Sequence, residues 1–561
     1  MHNFRFFTTL HKLMLLLIFC LLFAGEASPI KPNKDRPKLV VRVVVEQMRY
    51  EMLLRYWDSF EEDAGFKSLV DNGVLCKNNQ LNYALTERAP GFATLTTGSN
   101  PSVHGIVSDY WYNRLSNETE FSIDDNHYKT VGTVELKKGF SPSNLLAGTL
   151  GDELKMLSPK SKVFSVGLNP VSSILGAGNT SDGAYWFEDK TGNWITSNFY
   201  RETLPEWVKD FNDKGLQDIY MKRQWETLMP DTSYISSLPD DNNAEEGFLL
   251  IYKNHFPYSL SLLKRKSKSY KYLKYTPFGN TYTKDFVHTL IRKEALGNDN
   301  HTDLLTVSFS ASSYVNDLFG PRSMEMEDLY LRLDSQLEHL VDFLEKNVGK
   351  DEFLLVLTSD RGCADTYEYR KSMKMPARNF KPKQGLSLMK SYLDIVYEKE
   401  NWIKSYNKRQ LYLDHGLIDQ HGYSHSEVEE TISNFMVKKS GISYAVKAST
   451  LREGNFTEGL NHKLQQSFHP KRSGDIFLGL EAGSIEHSES SGSSYNYHAH
   501  IPLIWYGKGI HSGKVARRTS LRDIAPTISM MIDIPLPEAS NGEPIWKLLD
   551  TEGKNDTFVT D

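Results

Sequence analysis

Short apolar runs recur along this chain and are separated by stretches with helical spacing. The runs are rich in Val, Leu and Ile and are apolar at most positions, which is the pattern of strands buried on both faces of a parallel sheet. They cover residues 39–45, 162–168, 303–309, 353–359 and 501–507. Between them apolar residues return at helical intervals, which predicts an α/β fold with a mostly parallel central sheet.

Two stretches interrupt this alternation. The first is rich in aromatic residues set among Lys, Asp and Asn, and the second carries a small α+β pattern. We expect both to be insertions or caps, with the aromatic residues used for packing. The predicted organisation is a signal segment at 1–27, core parts at 36–183, 301–372 and 473–550, and insertions or caps at 184–300 and 373–472.

The amino terminus has the pattern of a secretory signal. His11 and Lys12 precede an apolar run at 13–24, and the small residues Gly25 and Ala27 follow it. The alternative is an uncleaved membrane anchor, but the run is shorter than the roughly 20 residues of a membrane span. We therefore expect a cleaved signal and a secreted or periplasmic protein, in which an association with the outer membrane stays open.

Composition and charge narrow the functional classes. Of the 561 residues 39% are hydrophobic and 24% are charged, which permits a sizeable core. The net charge is −6 and no basic block stands out, so nothing favours nucleic acid as a partner. Outside the signal segment only Cys76 and Cys363 occur, which excludes a disulfide framework. One bridge and two separate thiols both remain open.

Charged residues follow two of the predicted strands. Glu46 comes directly after the run at 39–45, and Asp360 and Arg361 come directly after the run at 353–359. Open α/β sheets bind ligands outside the carboxyl ends of their strands, so these residues predict a site. Carboxylates there suit a two-metal phosphoryl-transfer enzyme. The arginine beside the second carboxylate does not suit an enzyme of this kind.

The same segments resemble the alkaline phosphatase superfamily, in particular its secreted phosphate monoesterases related to the nucleotide pyrophosphatase/phosphodiesterase branch. The motifs that carry the resemblance are VVVEQMRYEMLLRY, GFATLTTGSNPSVHGI, TPFGNTYT, LTSDRGC, HIPLIWYGKGI and LRDIAPTISMM. They extend over nearly all of the chain after the signal segment. The resemblance implies an alkaline-phosphatase-like α/β/α sandwich with inserted caps. It also implies two zinc ions on either side of a Thr or Ser nucleophile.

Position by position, the resemblance places altered residues at the first metal site. The family's strand-end Asp falls on Glu46, its nucleophile on Arg88, and its Asp-His pair on Asp360 and Arg361. Asp360 keeps the family's residue, and Glu46 keeps the charge on a longer side chain. Guanidinium groups replace the nucleophile and one histidine.

The second metal site is altered further. The family's Asp and His fall on Ser313 and Asp317, and its last His falls near Ser491. His487 or His498 could serve as a replacement ligand. One histidine beside Ser313 and Asp317 still makes a poor zinc site.

The residues that would contact phosphate differ as well. The family's Asn falls on Asp109, and its Lys-x-Arg pair falls on Asn169 and Val171. Loss of the nucleophile, of most zinc ligands and of these contacts predicts a pseudoenzyme that takes no cofactor.

Without zinc, buried carboxylates need another source of positive charge. We therefore predict a salt-bridge cluster of Arg88 and Arg361 with Glu46 and Asp360, since guanidinium groups pair well with carboxylates. In the alternative arrangement both arginine side chains point into solvent.

Three functions follow from these expectations. The first is a non-catalytic binding or scaffold protein of the cell envelope with a protein partner. The second is a divergent metal-dependent phosphatase or phosphodiesterase that uses another hydroxyl, such as Thr86, Thr94 or Ser99. The third is a phosphate- or sulfate-binding protein in which Arg88 and Arg361 hold the anion.

Overall fold

An eleven-stranded sheet runs through the centre of the protein. The computed structural model describes residues 36–133, 138–242, 245–251, 253–486 and 492–549. The predicted signal segment at 1–27 and the candidate ligands Ser491 and His487 lie outside these ranges. From one edge to the other the strands are Gly513–Val515, Val74–Cys76, Leu503–Gly507, Phe353–Thr358, Leu39–Val45, Asp303–Phe309, Val163–Gly167, Gly183–Phe187, Trp194–Ser197, Asp124–Val131 and Lys138–Phe140.

The parallel part of this sheet lies at its centre. The strands from Phe353–Thr358 to Gly183–Phe187 run parallel to one another, and mainly antiparallel pairings extend the sheet on both sides. Every residue of Leu39–Val45 is buried. Because side chains alternate across a strand, Val41 and Val43 join the hydrophobic core on one face, and Val40 and Val44 join the core on the other.

Helices cover both faces of the sheet. The α-helices are Tyr50–Arg55, Gly65–Asp71, Arg88–Thr97, Pro101–His104, Leu150–Leu157, Pro170–Ala177, Glu206–Asp213, Leu216–Met221, Leu260–Ser267, Pro277–Lys293, Ala311–Phe319, Met324–Asn347, Tyr367–Ser372, Pro382–Val396, His415–Gln420, His425–Met436, Ala448–Glu453, Gly459–Ser467, Asn496–Ala499 and Ile524–Met531. Short 3₁₀ turns occupy Trp57–Ser59, Asp231–Ser233, Leu249–Ile251, Lys271–Tyr275, Leu521–Asp523 and Trp546–Leu548. Within the described ranges, every helix is too short or too polar to span a bilayer.

A smaller module with its own core begins in the second predicted insertion and takes one strand, Ile476–Leu480, from the predicted core part at 473–550. Its four-stranded sheet has the order Ile403–Asn407, Gln410–Leu413, Ile476–Leu480 and Ile442–Lys447. A separate hydrophobic cluster, which includes Trp402 and Met389, fills its interior. Two-stranded pairings complete the structure: Asn79–Gln80 with Thr519–Ser520, Tyr110–Asn113 with Glu118–Phe121, Gln224–Trp225 with Tyr258–Ser259, and Asn379–Phe380 with Ile485–Glu486.

The first predicted insertion begins inside the main sheet. Its first residues belong to the strand Gly183–Phe187, which lies parallel beside Val163–Gly167. The boundaries of the insertions stay predictions, because the chain from Pro37 onward clusters as one unit. Cys76 and Cys363 are both buried and both free.

Candidate functional site

The two acidic residues of the site follow two neighbouring strands of the central sheet. Leu39–Val45 ends directly before Glu46, and Phe353–Thr358 ends two residues before Asp360. The two strands are parallel and adjacent, so their carboxyl ends meet at the same edge of the sheet. Arg88 stands opposite them as the first residue of the helix Arg88–Thr97.

Arg88 forms an ion pair with Glu46. Its Nε donates to Glu46 Oε2 at 2.7 Å, and the Glu46 side chain has no solvent exposure. The other carboxylate oxygen, Oε1, accepts hydrogen bonds from the hydroxyls of Ser308 at 2.7 Å and Ser310 at 2.8 Å. Both oxygens of this buried carboxylate are therefore satisfied by protein donors.

A second ion pair lies beside the first. Nη1 of Arg361 contacts Asp360 Oδ2, and the backbone N–H of Gln47 donates to Asp360 Oδ1 at 2.9 Å. Ser313 joins the two pairs, because its Oγ accepts from Nη2 of Arg88 at 3.1 Å and from Nη2 of Arg361 at 3.4 Å. We call Glu46, Arg88, Ser313, Asp360 and Arg361 the arginine cluster.

The charges of Glu46 and Arg88 stabilise one another, whereas burial raises the pKa of Asp360 to about 6 despite the charge of Arg361. Burial alone would raise the pKa of Glu46, but the charges of Arg88 and Arg361 outweigh it and lower that pKa below its usual value. Burial disfavours the charged form of Arg88, yet the negative charge of Glu46 raises the pKa of its guanidinium well above the ordinary value. Both groups are therefore charged at neutral pH.

The residues present at this place do not fit the zinc pair that the family resemblance implies. Guanidinium groups already contact Glu46 and Asp360, and they would repel a divalent cation. Asp317 is exposed and lines a separate groove of about 280 Å³ together with Asp365 and Glu368. In the described part of the chain, no three His, Cys, Asp or Glu residues are grouped so as to hold a metal.

The alternative ligand His498 is buried near the arginine cluster. Its Nδ1 shares a hydrogen bond with Ser493 Oγ at 2.5 Å, and its carbonyl accepts from the N–H of Gly362 at 2.8 Å. These contacts tie the histidine to the loop after Arg361. His498 and Asp317 line two neighbouring cavities, which share Ala364 and Ile485 in their linings.

The alternative nucleophiles are buried as well. Thr86 donates to the carbonyl of Ser493 at 3.3 Å, and the Thr94 hydroxyl lies 3.1 Å from His104 Nε2. The Ser99 hydroxyl lies 2.9 Å from that of Thr97. Each of the three candidates is at most 1% exposed, so none presents its hydroxyl to a substrate in this conformation.

The positions expected to contact phosphate have structural partners instead. Asp109 accepts from the N–H of Ala89 at 2.7 Å, at the start of the helix that carries Arg88. Asn169 uses its amide oxygen to accept from the N–H of Val171 at 2.8 Å and caps the next helix.

Two residues near the arginine cluster were missed by sequence reasoning. The ring of Tyr314 lies 5.9 Å from the guanidinium carbon of Arg88 and 4.9 Å from Nζ of Lys274. Asn169 donates to the Tyr314 hydroxyl at 3.1 Å. The sequence did carry a signal, since Tyr314 follows Ser313 directly and Lys274 lies just before the TPFGNTYT motif.

Comparison with known proteins settles the family. Residues 40–500 match the family model of type I phosphodiesterase / nucleotide pyrophosphatase. The chain belongs to this family. It is 34% identical to alkaline phosphatase PafA of Elizabethkingia meningoseptica over 95% of this chain and 98% of the relative. It is also 34% identical to a protein named calcium-transporting ATPase from Myroides odoratus, over 92% of this chain and 95% of that protein.

A solved structure confirms the predicted alkaline-phosphatase-like α/β fold. The crystal structure of wild-type alkaline phosphatase PafA matches with a TM-score of 0.86 and 32% identity, over 91% of this chain and 99% of that chain. The alkaline-phosphatase-like α/β fold is therefore established for this chain.

The prediction that the protein takes no cofactor is wrong. Relatives that match nearly the whole chain are alkaline phosphatases, an activity that the family resemblance links to zinc.

Proposed function

We propose that this protein is a non-hydrolytic member of the phosphodiesterase family that acts as a binding or scaffold protein of the cell envelope. The observation that supports the proposal is the ion pair between Arg88 and Glu46. The family resemblance assigns these two positions to the nucleophile and to the strand-end metal ligand. A guanidinium that stays protonated cannot attack phosphorus.

The surroundings of the arginine cluster support the same conclusion. Ser313 accepts from both arginines, so the two side chains are held in the pocket by several contacts each. Thr86, Thr94 and Ser99 are too deeply buried to replace the missing hydroxyl in this conformation. Hydrolysis would require both a new nucleophile and a rearrangement of these ion pairs.

The inserted module offers a face for a protein partner. Its helix Pro382–Val396 exposes Leu388 at 56% and Ile395 at 83%, seven residues apart and so on the same side of the helix. Exposed apolar residues that share a face are typical of interaction surfaces. The signal-like amino terminus supports a secreted or periplasmic setting for this partner, with the outer membrane as one location.

An activity assay tests the proposal. The purified protein would be incubated with phosphate monoesters and diesters, with and without added zinc, beside alkaline phosphatase PafA as a positive control. We expect no turnover above that of the Glu46→Gln and Asp360→Asn variants. Turnover that disappears in either variant, with the folded structure kept, would favour the alternative of a divergent metal-dependent phosphatase. Phosphatase activity is what the name of the relative PafA suggests.

One observation favours anion binding as a second candidate function. Nε of Arg361 is buried and has no hydrogen-bond partner among the described residues, although its other two nitrogens are engaged. A phosphate or sulfate oxygen could accept from it. Calorimetry with inorganic phosphate would test this candidate: binding that is lost in Arg88→Gln and Arg361→Gln supports it, and no binding, or binding that both variants retain, contradicts it.

A further inference from the structure

Trp546 differs from the other tryptophans of this protein. It is 57% exposed, whereas Trp111, Trp194, Trp225 and Trp505 are almost completely buried. It lies in the 3₁₀ turn Trp546–Leu548, and the apolar residues Ile545 and Leu548 near it in the chain are buried. Exposing an indole to water is unfavourable, and aromatic residues left on the surface are enriched at binding sites.

Three cations and two carboxylates line the same cavity as this tryptophan. Arg517, Arg518 and Lys547 line the same cavity as Trp546, and all three are exposed. They belong to a longer cationic stretch, because residues 508–522 contain five Lys or Arg and no Asp or Glu. The whole chain has a net charge of −6, so this stretch is a local reversal of sign.

The cavity is concave and partly apolar. Its volume is about 310 Å³, and Val515, Pro544 and Ile545 contribute apolar surface to its lining. That volume is at the lower end of the range of about 300–1,000 Å³ that is usual for small-molecule sites.

Two of the three cations already have partners: Nζ of Lys547 donates to the carbonyl of Lys514 at 3.0 Å, and Arg517 pairs with Glu543. Nη2 of Arg517 lies 2.8 Å from Glu543 Oε2, but both side chains are more than 70% exposed. An exposed pair of this kind contributes little to stability, so an incoming anion can take over the guanidinium at small cost. The second carboxylate in the lining, Asp523, accepts from the N–H groups of Ser520 and Glu543 and is already satisfied.

We propose that this cavity, the Trp546 groove, binds an anionic saccharide. The sugar ring would lie against the indole face, and its phosphate or carboxylate group would be held by Arg517, Arg518 and Lys547. The three cations favour an anionic ligand, and the flat face of the indole favours a ligand that contains a ring. A membrane surface fits less well, because the groove is concave and Trp546 is the only large exposed apolar side chain in its lining.

The Trp546 groove is separate from the arginine cluster. In the central sheet the strand Gly513–Val515, which leads into Arg517, lies three positions from Phe353–Thr358, which leads into Asp360. The inference therefore does not depend on the proposed function, and either one can fail alone.

Binding to the full mature protein tests the inference. The probes are glucose 6-phosphate and polygalacturonate, with glucose, inorganic phosphate and anionic phospholipid vesicles as comparisons. The variants are Trp546→Ala and Arg518→Gln, and the control is Arg265→Gln, which removes an exposed cation from the helix Leu260–Ser267. We expect an anionic saccharide to bind, with affinity reduced by about tenfold or more in both variants, about 1.4 kcal/mol, and unchanged in the control.

The outcomes separate the sources of the ligand. Binding of glucose 6-phosphate supports a free sugar phosphate, and binding of polygalacturonate alone supports a polymeric anionic saccharide; both support the inference. Binding of neither saccharide would overturn it, as would binding that survives Trp546→Ala. The inference would also be contradicted if inorganic phosphate bound as tightly as the saccharides and Trp546→Ala left that binding unchanged. Binding to the phospholipid vesicles alone would contradict it as well.

Discussion

Nε of Arg88 donates to Oε2 of Glu46 at 2.7 Å, inside a pocket where the glutamate is completely shielded from solvent. Glu46 follows a buried strand and Arg88 begins a helix, so the contact joins the sheet to the helical layer. Phosphatase relatives share this fold. In this chain a permanent side-chain cation stands against the strand-end carboxylate.

Removal of the cation should destabilise the protein strongly. Arg88→Ala leaves the buried carboxylate of Glu46 without its main positive partner, and breaking a buried pair in this way costs about 3–5 kcal/mol. We expect the free energy of unfolding, measured by urea denaturation, to fall by an amount of this order.

A second substitution separates loss of charge from loss of packing. In the Glu46→Gln, Arg88→Ala double variant the carboxylate charge is gone, so the protein should be more stable than Arg88→Ala alone. The exposed Arg265→Ala provides the control and should change stability by no more than about 0.5 kcal/mol. If the effects of the two substitutions on the free energy of unfolding were additive, the broken ion pair would not be the reason for the loss of stability in Arg88→Ala.

His104 should make the protein sensitive to acid. Burial, with the charge of Arg472 adding to it, lowers the pKa of His104 to about 3. Its Nδ1 accepts from the N–H of Ile106 at 3.1 Å, and its Nε2 lies 3.1 Å from the Thr94 hydroxyl, so the neutral ring fits the site.

The sign of this effect follows from the lowered pKa. The unfolded chain takes up a proton at His104 near pH 6.5, whereas the folded protein does so only near pH 3. The stabilisation that comes from a neutral His104 ring is therefore fully present above pH 6.5. It falls by about 1.4 kcal/mol per pH unit as the pH drops towards the pKa of His104 in the folded protein. His104→Gln should remove this slope between pH 6 and 4 in denaturation experiments. The exposed His511→Gln should retain it, and an unchanged slope in His104→Gln would contradict the assignment.

The module around Trp402 should lose its structure before the central sheet does. Trp402 is 1% exposed within a hydrophobic cluster separate from the two clusters of the main sheet. Trp402→Ala should cost about 3–5 kcal/mol by leaving a cavity. Hydrogen exchange would report faster opening of the strands Gln410–Leu413 and Ile476–Leu480, while Leu39–Val45 keeps its protection. An equal loss of hydrogen-exchange protection in both sheets would mean that the module and the core unfold together.

The central strands were predictable because their apolar runs are nearly uninterrupted. Leu39–Val45, Asp303–Phe309 and Phe353–Thr358 lie side by side in the sheet, and their sequences alone indicated burial on both faces. The start of the helix at Arg88 was harder to predict. A proline often marks the first position of a helix, but this helix begins at Arg88 and Pro90 lies within its first turn, where proline is tolerated.

The contacts of the arginine cluster depend on tertiary placement. Nothing local in the sequence indicates that Ser313 would accept from both Arg88 and Arg361, because the three residues come from segments far apart in the chain. The pairing of Lys274 with the Tyr314 ring has the same origin. Family resemblance could locate the altered positions, but it could not say which donors meet which acceptors.

Hydrolysis of a phosphate monoester by the purified protein, with zinc supplied, tests the central claim most directly. The account predicts a rate for the native protein that is no higher than the rates of folded Glu46→Gln and Asp360→Asn. Zinc-dependent turnover by the native protein that both substitutions abolish would contradict it, because the arginine cluster would then have to open and serve as an active site.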